Sequence, residues 1–480
     1  MVVSYENILS HFPHDEIRGK QEQVAGLIET FLNDPEKKYL LLQAPVGMGK
    51  SALNIMAAKA AGSAYVATAN KALQDQYIRS YGHMMSDLKG RANYSCRESP
   101  GKNCGNAPCR DSKKSRAVCH KNRMCEYHDA FDDAAGASIA SFNFASFLAF
   151  TQYFPNEFGP RSLLVCDEAH NVPEWLTGHV GVSVSQRGLD RLGLPFNVPR
   201  DNDPEALFDF FMDLKEEVAG VLDDPESGLT GAAEEQLEAL YHKLDGLAVF
   251  VGDDRSAIDN FVVVRDPERG VELKPINVAV HAKKMILSKA DKCIFTSATF
   301  LDFKTFYSQM GMPEDEVQVI RVGSSFPKEN RPIYLSKVVG ALDYKAVMLG
   351  PRGEPVGELL PDLVQAIREI LALYPRDKGI IHCKPYGLCR YIVGELKDPR
   401  IIFPASAGEQ KEALERHERS PEPTVLISPS LTEGIDLKDH LSRFQILAKV
   451  PYPNTQDPLI ARRRHVYPGY YLMKTAIEIV

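Results

Sequence analysis

The chain has 480 residues, 44% of them hydrophobic and 25% charged, and its 56 lysines and arginines stand against 64 aspartates and glutamates for a formal net charge of -8. That balance excludes a disordered or fibrous protein and a uniformly basic nucleic-acid binder, and the length accommodates roughly two to four domains. The opening MVVSYENILSHFPHDEIRGK lacks the basic start and apolar middle of a secretory signal, and the longest apolar run, ASIASFNFASFLAF, is too short and too polar to span a bilayer. The expectation is a cytoplasmic protein with no membrane partner.

In chain order, the first third alternates short β-branched apolar runs with helix-like stretches. YLLLQA from Tyr39, SAYVATA from Ser63, SIASFNF from Ser138 and SLLVCDE from Ser162 predict a buried parallel sheet with helical crossovers. The first run leads into APVGMGKS and then an alanine-rich helix ending at Gly62. A phosphate-binding loop needs glycines so that backbone N–H groups can close around oxygens, a lysine for charge and a hydroxyl for magnesium. Gly47, Met48, Gly49, Lys50 and Ser51 supply these parts, and the helix beginning there aims its positive end at an anion. The strict pattern has a glycine where this chain has Ala44.

Residues 94–127 then gather five of the nine cysteines: Cys96, Cys104, Cys109, Cys119 and Cys125. Reduced thiols in a cell interior and an odd total favour a metal framework over disulfides. Four thiolates from one chain suit either zinc or an iron-sulfur cluster, and the spacings of 8, 5, 10 and 6 contain no C-x2-C knuckle. Lys102, Arg110, Lys113, Lys114, Arg116, Lys121 and Arg123 crowd the same stretch, either as a solvated loop face or as phosphate contacts. Tyr94, Tyr127 and Phe131 either offer stacking faces for bases or pack around the cysteines. Cys166, Cys293, Cys383 and Cys389 lie in or beside apolar strands or helices and read as small core residues.

SLLVCDEAHN delivers Asp167 and Glu168 at a strand end, where one carboxylate can hold magnesium and its neighbour can orient and deprotonate a water; His170 follows. Residues 186–285 differ, since LFDFFMDLKEEVAGVLDD and AAEEQLEALYHKLDGLAVFV read as amphipathic helices between acidic loops, and the expectation is a mainly helical insertion. Apolar runs return as RPIYLS, KGIIHC, RIIFPA, TVLISPS and FQILAKV, with a helix between the first two built on Leu359, Leu360, Leu363, Ile367, Ile370 and Leu371.

Taken in order, these strings resemble the superfamily 2 iron-sulfur helicases of the XPD/DinG family, and more closely the DinG-like group of bacteria and phages. IRGKQEQ resembles the opening motif, with Arg18 and Gln21 in the adenine-facing positions. VATANKALQDQY, with Thr68, Asn70 and Gln74, resembles the motif that contacts the DNA backbone, and FTSATF, with Ser297, Ala298 and Thr299, the one that couples nucleotide state to DNA grip. LISPSLTEGIDLKDHLSRFQILAKVPYP is similar to motifs of the second motor domain, where Glu433, Gly434 and Asp436 approach the nucleotide.

The resemblance implies an α/β protein with two RecA-like parallel-sheet motor domains, an iron-sulfur insertion and an arch-like helical insertion. The implied divisions are 1–93, 128–185 and 286–325 for the first motor domain, 94–127 for the cluster, 186–285 for the arch and 326–480 for the second motor domain. It implies ATP, Mg2+ held by Ser51 and Asp167, and a [4Fe-4S] cluster on Cys96, Cys109, Cys119 and Cys125, with Cys104 as a substitute. It also implies a monomer that translocates 5′ to 3′ on single-stranded or forked DNA alongside replication or repair proteins. In relatives a string Q-x-x-G-R-x-x-R follows the tyrosine-rich helix and supplies arginines to the γ-phosphate. Here GYYLMKTAIEIV reaches Val480 without it, so turnover by this chain alone is in question, and a binding module without turnover and a zinc-containing RNA helicase stand as alternatives. Arg462, Arg463 and Arg464 precede that helix and are expected at the surface or facing DNA.

Overall fold

The structure, a computed structural model, describes residues 5–479 apart from 112, 122–124, 225–230, 267–269, 325–326, 331, 336–341, 344, 430–436 and 438. It divides into two units, Met1–Ser325 with Asn454–Met473, and Phe326–Pro453 with Lys474–Val480.

The first unit begins with β1 (Tyr39–Gln43), β2 (Ala64–Thr68), β3 (Ser86–Asp87), β4 (Ile139–Asn143) and β5 (Arg161–Asp167). An inserted region carries β6 (Val182–Val184), β7 (Phe261–Asp266) and β8 (Gly270–Pro275), after which β9 (Ala290–Ser297) and β10 (Val317–Arg321) return to the main sheet. That sheet is parallel in the order β10-β1-β9-β5-β2-β4-β3. Its strands read as continuous apolar runs because both faces are covered: Leu41, Tyr65, Leu164 and Phe295 enter one core, and their neighbours Leu40, Leu42, Val66, Val165 and Ile294 the other. In a parallel sheet of this kind the strands' carboxyl ends share one edge, where loops carry function. Strand β9 lies between β1 and β5, so the loop after β1 and the acidic end of β5 are one strand apart.

The second unit holds β11 (Gly379–His382), β12 (Ile401–Ile402), β13 (Val425–Ser428) and β14 (Phe444–Leu447), parallel in the order β12-β13-β11-β14. The helix expected between RPIYLS and KGIIHC spans Leu360–Leu373 and buries Leu360, Leu363, Val364, Ile367 and Leu371. Residues 332–335 of the expected strand RPIYLS form no strand. Ile333, Tyr334 and Leu335 are almost fully exposed, because β-branched and aromatic residues make a strand only when a neighbouring strand and a covered face are supplied.

The inserted region is mainly helical, as expected, and also carries a sheet that was not foreseen. Its helices Pro204–Asp223 and Ala232–Val251 pack together, but they share a core with an antiparallel sheet ordered β6-β8-β7, in which Val182, Val184, Val263, Val271 and Leu273 sit beside Phe211, Leu214 and Leu244. The sheet exists because FVVVRD and GVELKP are β-rich runs around a turn-forming stretch, and pairing buries faces that the two helices leave open.

Asn454–Met473 groups with the first unit, and this overturns the expected surface placement of Arg463. On the Pro458–Val466 helix Arg462 and Arg464 are exposed, whereas Arg463 retains only 1% of its surface. Its Nη1 donates to Glu174 Oε1 at 3.1 Å, its Nη2 to Thr177 Oγ1 at 2.6 Å and its Nε to the Ile276 carbonyl at 2.9 Å. Tyr470 OH donates to the same Glu174 oxygen at 3.1 Å. A guanidinium taken out of water is stable only when its donors are met, and removing it strands the partners. Arg463→Ala should therefore destabilise the first unit by about 3 kcal/mol. Hydrogen exchange should quicken selectively in the Val172–Val180 helix, while Arg462→Ala leaves that helix unchanged.

Candidate nucleotide site and cysteine cluster

The loop after β1 is shaped by glycines. Gly47 and Gly49 hold φ of 79° and 86°, a region that side chains with a Cβ rarely enter, and Gly49 is the N-cap of the Lys50–Ala61 helix. A Cβ on Gly49 would lie 2.3 Å from Gln21 Nε2. That amide donates to the Met48 carbonyl at 2.9 Å, and Gln21 Oε1 accepts from the Arg18 backbone N–H at 3.0 Å. Gln21 is thus a buried brace beneath the loop, Met48 is packed into the core, and Arg18 is exposed beside them.

Lys50 is buried, with its Nζ 3.2 Å from the Ala44 carbonyl and 3.9 Å from Glu168 Oε1. Glu168 reaches it because its own backbone is left-handed, φ 51°, which turns the chain sharply as β5 ends. Asp167, one residue earlier, is 2% exposed. Its Oδ1 accepts from Thr296 Oγ1 at 2.9 Å and from the Glu168 N–H at 3.0 Å, and its Oδ2 accepts from Tyr77 OH at 2.7 Å. His170 Nδ1 lies 2.8 Å from Ser297 Oγ and 3.5 Å from Glu168 Oε2. Ser297 Oγ also accepts the Thr299 N–H at 3.0 Å. The structure therefore brings Lys50, Ser51, Asp167, Glu168 and His170 to one edge of the sheet, with Gln21 and Arg18 behind the loop. Glu433, Gly434 and Asp436 lie outside the described residues.

Two residues expected to face nucleic acid do not. Thr68 and Gln74 are fully buried. Thr68 Oγ1 donates within the fold to the Asn70 carbonyl at 3.1 Å, and Gln74 Nε2 is bound to Asp87 Oδ1 at 2.5 Å while its Oε1 accepts from Asn143 Nδ2 at 3.0 Å. Thr68 ends β2 and Gln74 lies on the Lys71–Tyr81 helix, and both polar groups are satisfied within the fold, as burial demands. Asn70 caps the Lys71–Tyr81 helix by accepting the Leu73 N–H at 2.9 Å, and Lys71 beside it is exposed.

The five cysteines of residues 94–127 converge. Cys125 and Cys104 have sulfurs 3.3 Å apart, and Cys96 pairs with Cys125 across an antiparallel bridge. Burial and then the hydrogen-bonded Cys125 thiol push the Cys104 thiol up to about 12. Cys119 is pushed up to about 12 as well, by burial and then by Cys109 and Cys125. Cys104 thus stands inside the group on the same footing as Cys109. Soft thiols crowded in a partly dry pocket fit a thiophilic metal or cluster by donor chemistry, and they would release protons on binding it. Among the described residues, no set of three or more ligand side chains is assembled around one metal-sized point.

The surroundings of the cysteines are now defined. Tyr127 is buried, Tyr94 meets it edge-on with ring centres 5.8 Å apart, and Phe131 packs 5.1 Å from both Phe154 and Phe158, so the three aromatic rings form the shell of the cluster. Arg110 and Arg91, the latter at 3.3 Å, form ion pairs with Glu235 on the inserted Ala232–Val251 helix. Lys102 and Lys121 are exposed; Arg123 and the side chains of Lys113, Lys114 and Arg116 lie outside the described part. Cys166, Cys293, Cys383 and Cys389 are buried core residues.

A separate cavity of about 450 Å³ opens where the Val172–Val180 helix, the Phe144–Tyr153 helix and the inserted Ala232–Val251 helix meet, lined among others by Asn171, Glu174, Trp175, His179 and Lys243. Trp175 is the chain's one tryptophan and is 39% exposed. Burial and the Lys243 charge lower His179 to about 4, so it is neutral at pH 7. No expectation from the sequence covered this site, and the lone tryptophan seven residues after Glu168 was its signal.

Comparison with known proteins agrees with this geometry. Residues 375–472 match the helicase C-terminal domain family. The structure superposes on one described as XPD helicase with a TM-score of 0.61, at 13% identity over 97% of this chain and 92% of that one. The fold is that of the XPD helicases. An XPD structure without ligand aligns at TM-score 0.53 and 13% identity over 95% of this chain and 91% of the other, and Xpd4 of S. tokodaii at TM-score 0.53 and 14% identity over 96% and 91%. No curated protein sequence matches the chain. These findings show an XPD-type fold and, over residues 375–472, a likeness to the helicase C-terminal domain family. Among the described residues, no helix is long and apolar enough to cross a membrane.

Gly49→Ala combines a strained φ, costing of the order of 1–3 kcal/mol, with the clash on Gln21. Affinity for a fluorescent ATP analogue should fall about tenfold or more, measured by titration, while the far-UV circular dichroism stays that of the wild type.

Proposed function

We propose that the chain is an ATP-driven DNA helicase that moves along single-stranded DNA and carries an iron-sulfur cluster. One observation bears most of this reading: the loop lysine Lys50 lies between the Ala44 carbonyl and Glu168, so that a phosphate loop and an acidic strand end share one site. The backbone amides of Gly47, Gly49 and Lys50 cradle the phosphates, and the Lys50 ammonium offsets charge on the β/γ oxygens. Ser51 and Asp167 are the ligands available to magnesium. Glu168 receives the proton of the attacking water, and His170, tethered to Ser297 on β9, relays the state of the site along that strand. Arg18 and Gln21 stand on the adenine side of the loop.

Cys96, Cys119 and Cys125, with Cys109 or Cys104 as the fourth thiolate, would hold a [4Fe-4S] cluster, which supplies a rigid cross-link for this segment and a one-electron centre. The crowded thiols of Cys104 and Cys125 support a soft-metal site there. The cavity beside Trp175 and Lys243 supports passage of a single strand, since a base can stack on the indole and a phosphate can meet the ammonium.

Purified anaerobically, the wild-type chain should release phosphate from ATP in a manner stimulated by single-stranded DNA more than by RNA. Lys50→Ala and Glu168→Gln should each lower that rate about 100-fold or more. ATP-dependent strand binding with no phosphate release identifies a binding module instead, and RNA preference with zinc in place of iron and sulfide identifies an RNA motor. Iron and acid-labile sulfide should be present in equal amounts and be lost in Cys125→Ser.

A further inference from the structure

The buried hydroxyl of Tyr77 is left without a role by the reading above, yet it is bonded on both sides within the first unit. Tyr77 OH donates to Asp167 Oδ2 at 2.7 Å and Thr296 Oγ1 donates to Asp167 Oδ1 at 2.9 Å. Each hydroxyl has one hydrogen, and each spends it on a different oxygen of the same carboxylate. The amide of Asn54 must then supply its two hydrogens to them, and it does: Asn54 Nδ2 lies 2.9 Å from Tyr77 OH and 3.0 Å from Thr296 Oγ1. The hydrogen-bond directions are thereby fixed by donor count alone.

Tyr77 is the one member of this set whose element leads elsewhere. It sits on the Lys71–Tyr81 helix, and the first half of that helix is tied to the start of the cysteine segment. Lys71 Nζ donates to Asn93 Oδ1 at 3.1 Å, Asp75 pairs with Lys89 at 2.5 Å, and Gln74 holds Asp87, which pairs with the same Lys89 at 3.0 Å. The Lys89 backbone N–H donates to Tyr94 OH at 2.9 Å, and Tyr94 packs on Tyr127 among the cysteines. A single helix of 11 residues therefore spans from the magnesium carboxylate to the cysteine shell, with hydrogen bonds at both ends.

We propose that Tyr77 is a positioning residue that couples the magnesium–nucleotide site to the cysteine segment through the Lys71–Tyr81 helix. Were magnesium held by Asp167 and Ser51, the Tyr77 hydroxyl would have to share or release the Asp167 oxygen it now holds, and the Lys71–Tyr81 helix would carry that change to Lys89 and Tyr94. This rests on the nucleotide reading of the site.

The test is hydrogen exchange of residues 86–96 in the full chain, with and without magnesium and a slowly hydrolysed ATP analogue, alongside a magnesium titration of analogue binding. In the wild type, exchange of this segment should change at least threefold on nucleotide binding. Tyr77→Phe keeps the ring and removes one oxygen. It should still bind the analogue, with a half-saturating magnesium concentration shifted at least threefold, and should lose the exchange response. Lys89→Gln cuts the other end of the helix and should lose the response while its magnesium titration stays within twofold of the wild type. Thr296→Val should shift the magnesium titration yet retain the response. A wild type that binds no nucleotide overturns the nucleotide reading together with this inference. A wild type that binds without an exchange response, or a Tyr77→Phe chain that binds and responds as the wild type does, overturns the inference alone.

Discussion

A carboxylate with 2% of its surface exposed is costly to bury unless its oxygens are met by donors, and the arrangement around Asp167 meets them from three directions. The donors come from the Lys71–Tyr81 helix, from β9 and from the backbone of Glu168, and the hydroxyls among them are themselves fed by Asn54 on the helix that follows the phosphate loop. Such a closed set has little freedom to rearrange one member at a time, since any lost bond leaves a buried group unpaired. The placement of β9 between β1 and β5 makes the set possible: its last residues face both the loop, where the Ala44 N–H donates to the Ser297 carbonyl at 3.0 Å, and the acidic strand end, where Thr296 lies opposite Asp167. The amide oxygen of Asn54 has no partner among the described residues, which marks the one unrelieved cost in the network.

What could be read in the sequence divides along the range of the interactions. The strands of the main sheet were legible because burial on both faces leaves unbroken apolar runs, and the phosphate loop was legible because its geometry needs glycines at fixed offsets from a lysine. Gln74 and Thr68 were misread since a polar residue on a helix or at a strand end looks the same whether it meets solvent or a neighbouring element, and only the tertiary packing decides. Tyr77 carried no signal at all: a tyrosine in LQDQY reads as helix-face packing, and its hydroxyl acquires meaning through residues 90 and 219 positions away, Asp167 and Thr296. Arg463 did carry one. Leu459, Arg463, Tyr467 and Tyr470 recur at helical spacing, which puts the middle arginine of the triplet on the apolar face.

In the cysteine segment, local chemistry and tertiary placement act together. Cys96 and Cys125, the first and last cysteines of the segment, are brought side by side by a backbone bridge. The basic residues that a sequence reading offers to phosphates are partly spent within the fold, as Arg110 and Arg91 both turn to Glu235 and Arg97 pairs with Asp129 at 2.8 Å. A net charge per segment therefore overstates what remains for a ligand. The ion pairs at Glu235 also fasten the segment to the inserted region, so the two insertions in the first unit are joined to each other as well as to the sheet.

The helix Val172–Val180 gives these parts a common boundary. It starts five residues after Asp167, and its Glu174 faces two ways, lining the cavity beside Trp175 and accepting hydrogen bonds from Arg463 and Tyr470. Thr177 on the next turn takes a second Arg463 donor, and the Arg463 Nε reaches the carbonyl of Ile276, just beyond the inserted sheet. The segment Asn454–Met473, which follows the second unit in sequence, is thereby locked to the element that leads directly out of the acidic strand end. Buried ion pairs of this kind contribute little net stability beyond what apolar packing would give, and their usefulness lies in fixing one arrangement against its alternatives. Here the arrangement fixed is the position of a helix that follows directly on the acidic strand end and walls the tryptophan cavity.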